Sequence, residues 1–107
     1  MKNMLTFSSK LYLGEGIKAE KLDKIKKKLI YKPVWANVYV IAFAHNPGDQ
    51  LEIFDARQMV QHYYQNNPTE IVGIAKDYDD ALVLIKKITQ QCLSERGDCK
   101  LKEYLIC

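Results

Sequence analysis

The sequence contains no apolar run long enough to cross a membrane. Its longest apolar run, Val38 to Ala44, has the length of a β-strand, whereas a membrane-spanning helix needs about 18 apolar residues or more. The first seven residues also lack the apolar segment and the small-residue cleavage site of a secretory signal. These absences predict a cytoplasmic protein that has no membrane partner.

Cysteine is scarce, and the three cysteines, Cys92, Cys99 and Cys107, lie near the C-terminus. An odd number in one short segment does not suit the disulfide framework of a small secreted fold. Their gaps of seven and eight residues differ from the spacing of a zinc site, and both histidines lie far away in sequence. We therefore expect a reducing compartment and no bound metal.

The motifs of several common enzyme classes are missing, including GxSxG, HExxH, DxDxDG and GxxxxGK. Gly14-Glu15-Gly16 matches two glycines of the dinucleotide-binding motif GxGxxG, but the third position is Ala19. The next strand runs into His45 and Asn46, without the carboxylate that would hold a ribose. We expect no cofactor, and these absences favour a non-enzymatic protein.

The chain of 107 residues has ordinary globular composition, with 48% hydrophobic and 27% charged residues, and it shows no linker or repeat. This predicts one domain over residues 1–107. A strand at Lys10 to Leu13 precedes a helix that begins near Ile17 and stops at Pro33. The buried stripe predicted for this helix is Ala19, Leu22, Ile25 and Leu29.

Apolar runs predict further strands at Asn37 to Ala44, Leu51 to Phe54 and Glu70 to Ala75. Carboxylates at Asp77 and Asp80 and a glycine at Gly97 bound a second helix. Its predicted buried stripe is Ala81, Leu84, Ile85, Ile88 and Cys92. The segment Ala56 to Gln65 suits a strand or a helix, and we favour a short helix; Lys100 to Ile106 alternates like an edge strand.

The order of these elements predicts an α+β fold. A mixed sheet of four or five strands would be covered by two long helices and one possible short helix. The predicted helices are long enough to cover such a sheet, and any parallel crossover that either long helix makes should be right-handed.

Short strings in this chain resemble a group of small one-domain proteins of anaerobic Gram-positive bacteria that have no established activity. The resemblance lies in Asn46-Pro47, Leu51-Glu52-Ile53, Ile71-Val72-Gly73-Ile74-Ala75 and Tyr78-Asp79-Asp80-Ala81-Leu82. It implies a cytosolic protein of one domain. It transfers no catalytic residue, because these strings are turn and core patterns.

Lysine is concentrated on the first helix, where seven of the sixteen basic residues fall within fifteen positions. The candidate nucleic-acid-binding residues are Lys18, Lys21, Lys24, Lys27 and Lys28, with Lys26 and Lys32 in the same span. The plainer interpretation is a solvated helix face, because arginine is nearly absent and no aromatic stacking platform is evident beside the lysines.

The loop after the predicted central strand, His45-Asn46-Pro47-Gly48-Asp49, is the candidate enzyme site. His45 would act as general base with Asp49 orienting it, and Asp55, Arg57 or His62 would lie nearby. The plainer interpretation is that these residues form a turn, since no nucleophile motif adjoins them.

Seven tyrosines and one tryptophan suit either core edges or an interface, and the sequence favours core edges, with Trp35 fixing the helix-to-strand connection. The favoured function is a non-enzymatic binding or protein-interaction module with an unknown protein partner, which includes a possible homodimer. A nucleic-acid binder and a small enzyme are the alternatives.

Overall fold

The computed structural model describes residues 5–44, 50–60, 69–98 and 100–106, and these residues form an α+β fold, as predicted. The strands are β1 (Leu5–Leu13), β2 (Tyr39–Phe43), β3 (Leu51–Asp55) and β4 (Thr69–Ala75). The α-helices are α1 (Leu22–Tyr31), α2 (Tyr78–Arg96) and α3 (Leu101–Ile106). Short 3-10 helices span Ala19–Lys21, Pro33–Trp35 and Ala56–Val60.

The four strands form one mixed sheet in the order β1-β4-β2-β3. β4 runs parallel to β1 and antiparallel to β2, and β2 also pairs antiparallel with β3. The interior position of β4 explains its composition, because Ile71 to Ala75 are all buried and a strand covered on both faces must be apolar throughout.

Apolar side chains pack on both faces of the sheet. One cluster contains Leu29 of α1 together with Val40, Phe54, Ile71 and Ile74. The cluster on the other face joins the sheet to α2 and α3, with the members Ile41, Val72, Ala75, Ala81, Leu84, Ile88, Cys92, Leu101 and Leu105. The lysine-rich helix and the long second helix therefore lie on opposite faces of the sheet.

α2 has the boundaries that the sequence predicts. The Asp77 side chain accepts a hydrogen bond from the Asp80 N–H at 2.8 Å, and Gly97 ends the helix in the left-handed conformation with φ 83°. Four residues of the predicted stripe are buried, and Ile85 is half-buried.

The C-terminal segment differs from the prediction, because the residues expected to form an edge strand form helix α3. Leu101 and Leu105 are both buried against α2, and a spacing of four places two side chains on one helix face. The Asp98 carboxylate accepts a hydrogen bond from the Lys100 N–H at 3.1 Å just before the helix starts. The sequence permits either an edge strand or a helix in this segment, and burial of the two leucines favours the helix.

Four smaller predictions also change. β1 begins at Leu5 instead of Lys10, and α1 begins at Leu22 instead of near Ile17. Ala19 lies in a 3-10 turn before the helix and is exposed, so it does not belong to the buried stripe. The predicted short helix starts as a 3-10 helix at Ala56–Val60, and residues 61–65 lie outside the described part of the chain.

Candidate functional site

One face of α1 carries three lysines and a tyrosine. Lys24, Lys27, Lys28 and Tyr31 follow one another at spacings of three, one and three residues, which places all four on one side of a helix. Lys24 and Lys27 are exposed, Lys28 is half-buried, and the Tyr31 side chain is 64% exposed. This face lies opposite Leu29, which packs against the sheet.

Trp35 follows Tyr31 by four residues in the chain and is 71% exposed. It ends the 3-10 helix Pro33–Trp35, in which its N–H donates to the Lys32 carbonyl at 2.9 Å. Its neighbours Pro33 and Ala36 are buried, so the turn is anchored while the indole ring stays in solvent. The prediction that Trp35 fixes the helix-to-strand connection is therefore wrong, because Pro33 and Ala36 do so.

We call the set Lys24, Lys27, Lys28, Tyr31 and Trp35 the basic–aromatic surface. Lys18 and Lys21 flank it from the 3-10 turn before α1, and both are exposed. Lys26 points elsewhere: its Nζ lies 5.3 Å from the centroid of the Phe7 ring, a cation–π contact that joins α1 to β1. The candidate lysines thus remain available for a ligand, while Lys26 serves the fold.

Sequence reasoning overlooked the aromatic part of this surface. Helix spacing places Tyr31 on the same face as Lys27 and Lys28, away from the apolar side chains of Ile25 and Leu29. The sequence therefore contained enough information to predict that Tyr31 is exposed. Trp35 carried no such signal, because a 3-10 turn after a proline has no periodicity from which to infer exposure.

A polar cleft of about 260 Å³ lies where β3 and β4 end and β2 begins. Two of its charged residues form an ion pair, with Arg57 donating to both carboxylate oxygens of Asp55 at 2.7 to 3.2 Å. Asp77 also lines the cleft and caps α2. These carboxylates serve as structural acceptors.

The ion pair with Arg57 affects the protonation of the Asp55 carboxyl group. The hydrogen bond from the Arg57 side chain lowers the pKa of Asp55 below 3.8, although partial burial opposes this shift. Asp55 is therefore a carboxylate at neutral pH. A general acid at that pH would instead need a raised pKa.

The turn Gly14-Glu15-Gly16 packs directly against the side chains of Asp80 and Lys76. The Asp80 carboxylate accepts hydrogen bonds from the N–H groups of Gly16 at 3.2 Å and Lys76 at 3.0 Å. A Cβ atom at Gly14 would clash with this carboxylate, and one at Gly16 would clash with the Lys76 side chain. The two glycines of the partial dinucleotide motif therefore permit close packing between β1 and the start of α2.

The proposed acid–base loop, His45 to Asp49, lies outside the described residues, as does His62. The residues that flank the loop are joined by a hydrogen bond from the Ala44 N–H to the Gln50 carbonyl at 3.2 Å. β3 runs away from that point, so Asp55 and Arg57 lie at its other end. The role of His45 and Asp49 stays a prediction.

Within residues 5–44, 50–60, 69–98 and 100–106, no group of three or more His, Cys, Asp or Glu side chains could hold a metal ion. None of the helices that the structure describes is long and apolar enough to span a bilayer. Comparison with protein-family models, curated proteins and solved structures gave no match. The resemblance to small bacterial proteins therefore stays a prediction.

Proposed function

We propose that this protein binds single-stranded nucleic acid through the basic–aromatic surface. The observation that carries the proposal is the exposure of two aromatic rings, Tyr31 on the lysine-bearing face of α1 and Trp35 four residues later in the chain. Proteins that bind single strands combine positive charge along the backbone with aromatic rings on which bases stack. The sequence favoured a protein-interaction module because it showed no convergent catalytic groups, and it weighed against nucleic acid because no aromatic platform was evident beside the lysines. The exposure of Tyr31 and Trp35 changes that preference.

The chemistry of the surface indicates what kind of nucleic acid would bind. Unpaired bases offer a free face for stacking on Tyr31 and Trp35, whereas the bases of a duplex already stack on one another. Lysine contacts phosphate as a point charge and lacks the planar fork with which arginine reads base edges. We therefore expect binding that prefers single strands, tolerates many sequences and weakens with salt.

A cytoplasmic location, where single-stranded RNA is abundant, belongs to the same proposal. Its support is the sequence, in which three cysteines crowded into one short segment do not suit the disulfide framework of a small secreted fold.

The direct test uses Trp35 as its own reporter, because it is the one tryptophan in the chain. A base that stacks on the indole ring should quench its fluorescence. A mixed-sequence strand of about 16 nucleotides is suitable, because a single small domain that binds single strands covers at most about that many nucleotides. Titration with this strand should give saturable quenching at low salt. The same sequence as a duplex should quench less.

Variants separate the lysines from the rings. Lys24→Glu/Lys27→Glu should weaken binding strongly, and the residual binding at low salt should have a salt slope lowered by about 0.7 for each phosphate contact removed. The matched control, Lys87→Glu/Lys100→Glu, changes the charge equally on the other face of the sheet and should bind normally. Tyr31→Ala should weaken binding by about 1 to 3 kcal/mol without changing the salt slope.

Two outcomes would contradict the proposal. One is a fluorescence spectrum that does not change on addition of single strands at low salt. The other is a blue shift and saturation with anionic phospholipid vesicles but not with oligonucleotides, which would assign the same rings and lysines to a lipid surface.

A further inference from the structure

The polar cleft at the end of the sheet, about 260 Å³ in volume, is held open by backbone that other parts of the chain fix in place. Tyr39 is paired with Asp55 of β3 on one side and with Ala75 of β4 on the other. The Ala56 N–H donates to the Val38 carbonyl at 3.0 Å just beyond these strands. Pockets for drug-sized ligands measure about 300 to 1,000 Å³, so this cleft suits a smaller molecule.

Four charged side chains line the cleft, and two of them neutralise each other. Both carboxylate oxygens of Asp55 accept hydrogen bonds from Arg57, so this pair offers a ligand no net charge. The other two are Lys76 and Asp77, which are exposed. One cation and one anion therefore remain for a ligand.

Lys76 and Asp77 also keep hydrogen-bonding capacity. Asp77 caps α2 through Oδ1, which accepts from the Asp80 N–H at 2.8 Å, and Oδ2 takes no part in that bond. The Lys76 stem packs against Gly16, and its Nζ forms no ion pair with a carboxylate of the described residues. A ligand can thus reach a carboxylate oxygen and an ammonium group without breaking a contact of the fold.

The neutral part of the lining comes from the start of β2 and the residues before it. Asn37 is exposed, and its side-chain amide can both donate and accept hydrogen bonds. Val38 and Tyr39 line the same cleft and add apolar surface. The cleft therefore combines one charge of each sign, an amide and an apolar wall.

We propose that this cleft binds a free amino acid in its zwitterionic form. The α-ammonium group would donate to the Asp77 carboxylate, and the α-carboxylate would accept from Lys76 and from the Asn37 amide. The side chain of the ligand would be uncharged, because Asp55 and Arg57 are already paired with each other. A peptide end carries only one of the two charged groups, so it would satisfy only one of the two partners.

This proposal does not depend on nucleic-acid binding. The residues of the basic–aromatic surface do not line the cleft, so either site can exist without the other.

NMR titration of the isotope-labelled full chain with L-leucine tests the proposal. The amide signals of residues 37–39 and 76–77 should shift and saturate with a dissociation constant of about 1 mM, because exposed charges contribute little each. L-leucinamide lacks the carboxylate and 4-methylpentanoate lacks the ammonium group. Each should bind about tenfold more weakly, as should L-glutamate and L-lysine.

Three variants remove the polar partners while keeping the backbone. Asp77→Asn retains a good N-cap but loses the charge, and Asn37→Gly suits the left-handed φ of 54°. Each should weaken L-leucine binding several-fold, as should Lys76→Gln. Asp79→Asn and Lys86→Gln are the matched controls, because both residues are exposed on α2 and do not line the cleft.

The results decide the proposal whether or not oligonucleotides bind. Selective L-leucine binding that only the cleft variants weaken would support it. An unchanged spectrum at about 20 mM L-leucine, well above the expected dissociation constant, would overturn it. Equal binding of L-leucinamide and L-leucine would also overturn it, as would equal losses from Asp77→Asn and Asp79→Asn.

Discussion

The two longer helices, α1 and α2, differ in how firmly the rest of the molecule holds them. α2 has an aspartate N-cap, a left-handed glycine at its end and four fully enclosed apolar residues on one stripe. α1 has one fully buried residue, Leu29, and its N-cap Lys21 makes no side-chain capping hydrogen bond in the described structure. The outward face of α1 is instead rich in lysine. Much of α2's sequence therefore serves stability, whereas most of α1's side chains are exposed or half-buried.

The largest test of this difference compares one isoleucine on each helix. Ile88→Ala on α2 should lower the free energy of unfolding by about 3 kcal/mol, because the side chain is fully buried and leaves a cavity. Ile25→Ala on α1 should cost about 1 kcal/mol, because Ile25 is only half-buried. Urea unfolding of both variants measures the two losses in the free energy of unfolding. Equal losses would contradict the prediction that α2 is held more firmly than α1.

A second comparison uses an aspartate from the first turn of each helix. Asp80→Ala should cost about 2 kcal/mol, because the N–H groups of Gly16 and Lys76 lose their acceptor. Asp23→Ala on α1 should cost only about 0.5 kcal/mol, since Asp23 is exposed and interacts mainly with the helix dipole. Thermal unfolding monitored by circular dichroism would rank the two, and a larger loss at Asp23 would contradict the prediction.

The helix ends give a third comparison. Gly97→Ala should cost about 1 kcal/mol, because a Cβ is disfavoured at φ 83°. Lys32→Ala at the end of α1 should be nearly neutral, since its φ of −143° suits any residue. Amide hydrogen exchange should show faster opening of the last turn of α2 in the glycine variant, and unchanged exchange there would argue against a cap.

The smallest expected effect concerns the cleft between the strand ends. Arg57→Gln should lower stability slightly at neutral pH, because it removes the charge that lowers the pKa of Asp55. A lowered pKa in the folded state stabilises the fold above the unfolded value of 3.8. That contribution is lost as the pH falls through the folded pKa, so wild type and variant should become equally stable in acid. A difference that grows in acid would contradict this assignment.

The sequence predicted the fold class well because most of its elements carry strong local signals. The caps Asp77 and Gly97 and the uniform burial of Ile71 to Ala75 follow directly from residue type. The segment from Lys100 to Ile106 was mispredicted, since its alternation and its Leu101–Leu105 spacing are compatible with different structures until the packing partner is known.

The candidate surface was only half predictable. Lysines on α1 are visible in the sequence, but the exposure of Trp35 depends on Pro33 and Ala36 being buried beneath it. Large aromatic side chains are usually assigned to a core because of the area that they can bury. Whether such a side chain is buried or exposed depends on tertiary contacts outside its own segment.

The strand order has a consequence for how the chain is made. β4 is the last of the described strands to leave the ribosome, yet it lies between β1 and β2. Until Ala75 has emerged, β1 has no partner among the described strands, and the earlier hairpin of β2 and β3 exposes the edge that β4 will occupy. Completion of the described sheet therefore joins residues more than sixty positions apart and must await the synthesis of β4. Nascent chains that end before β4 would be expected to recruit chaperones.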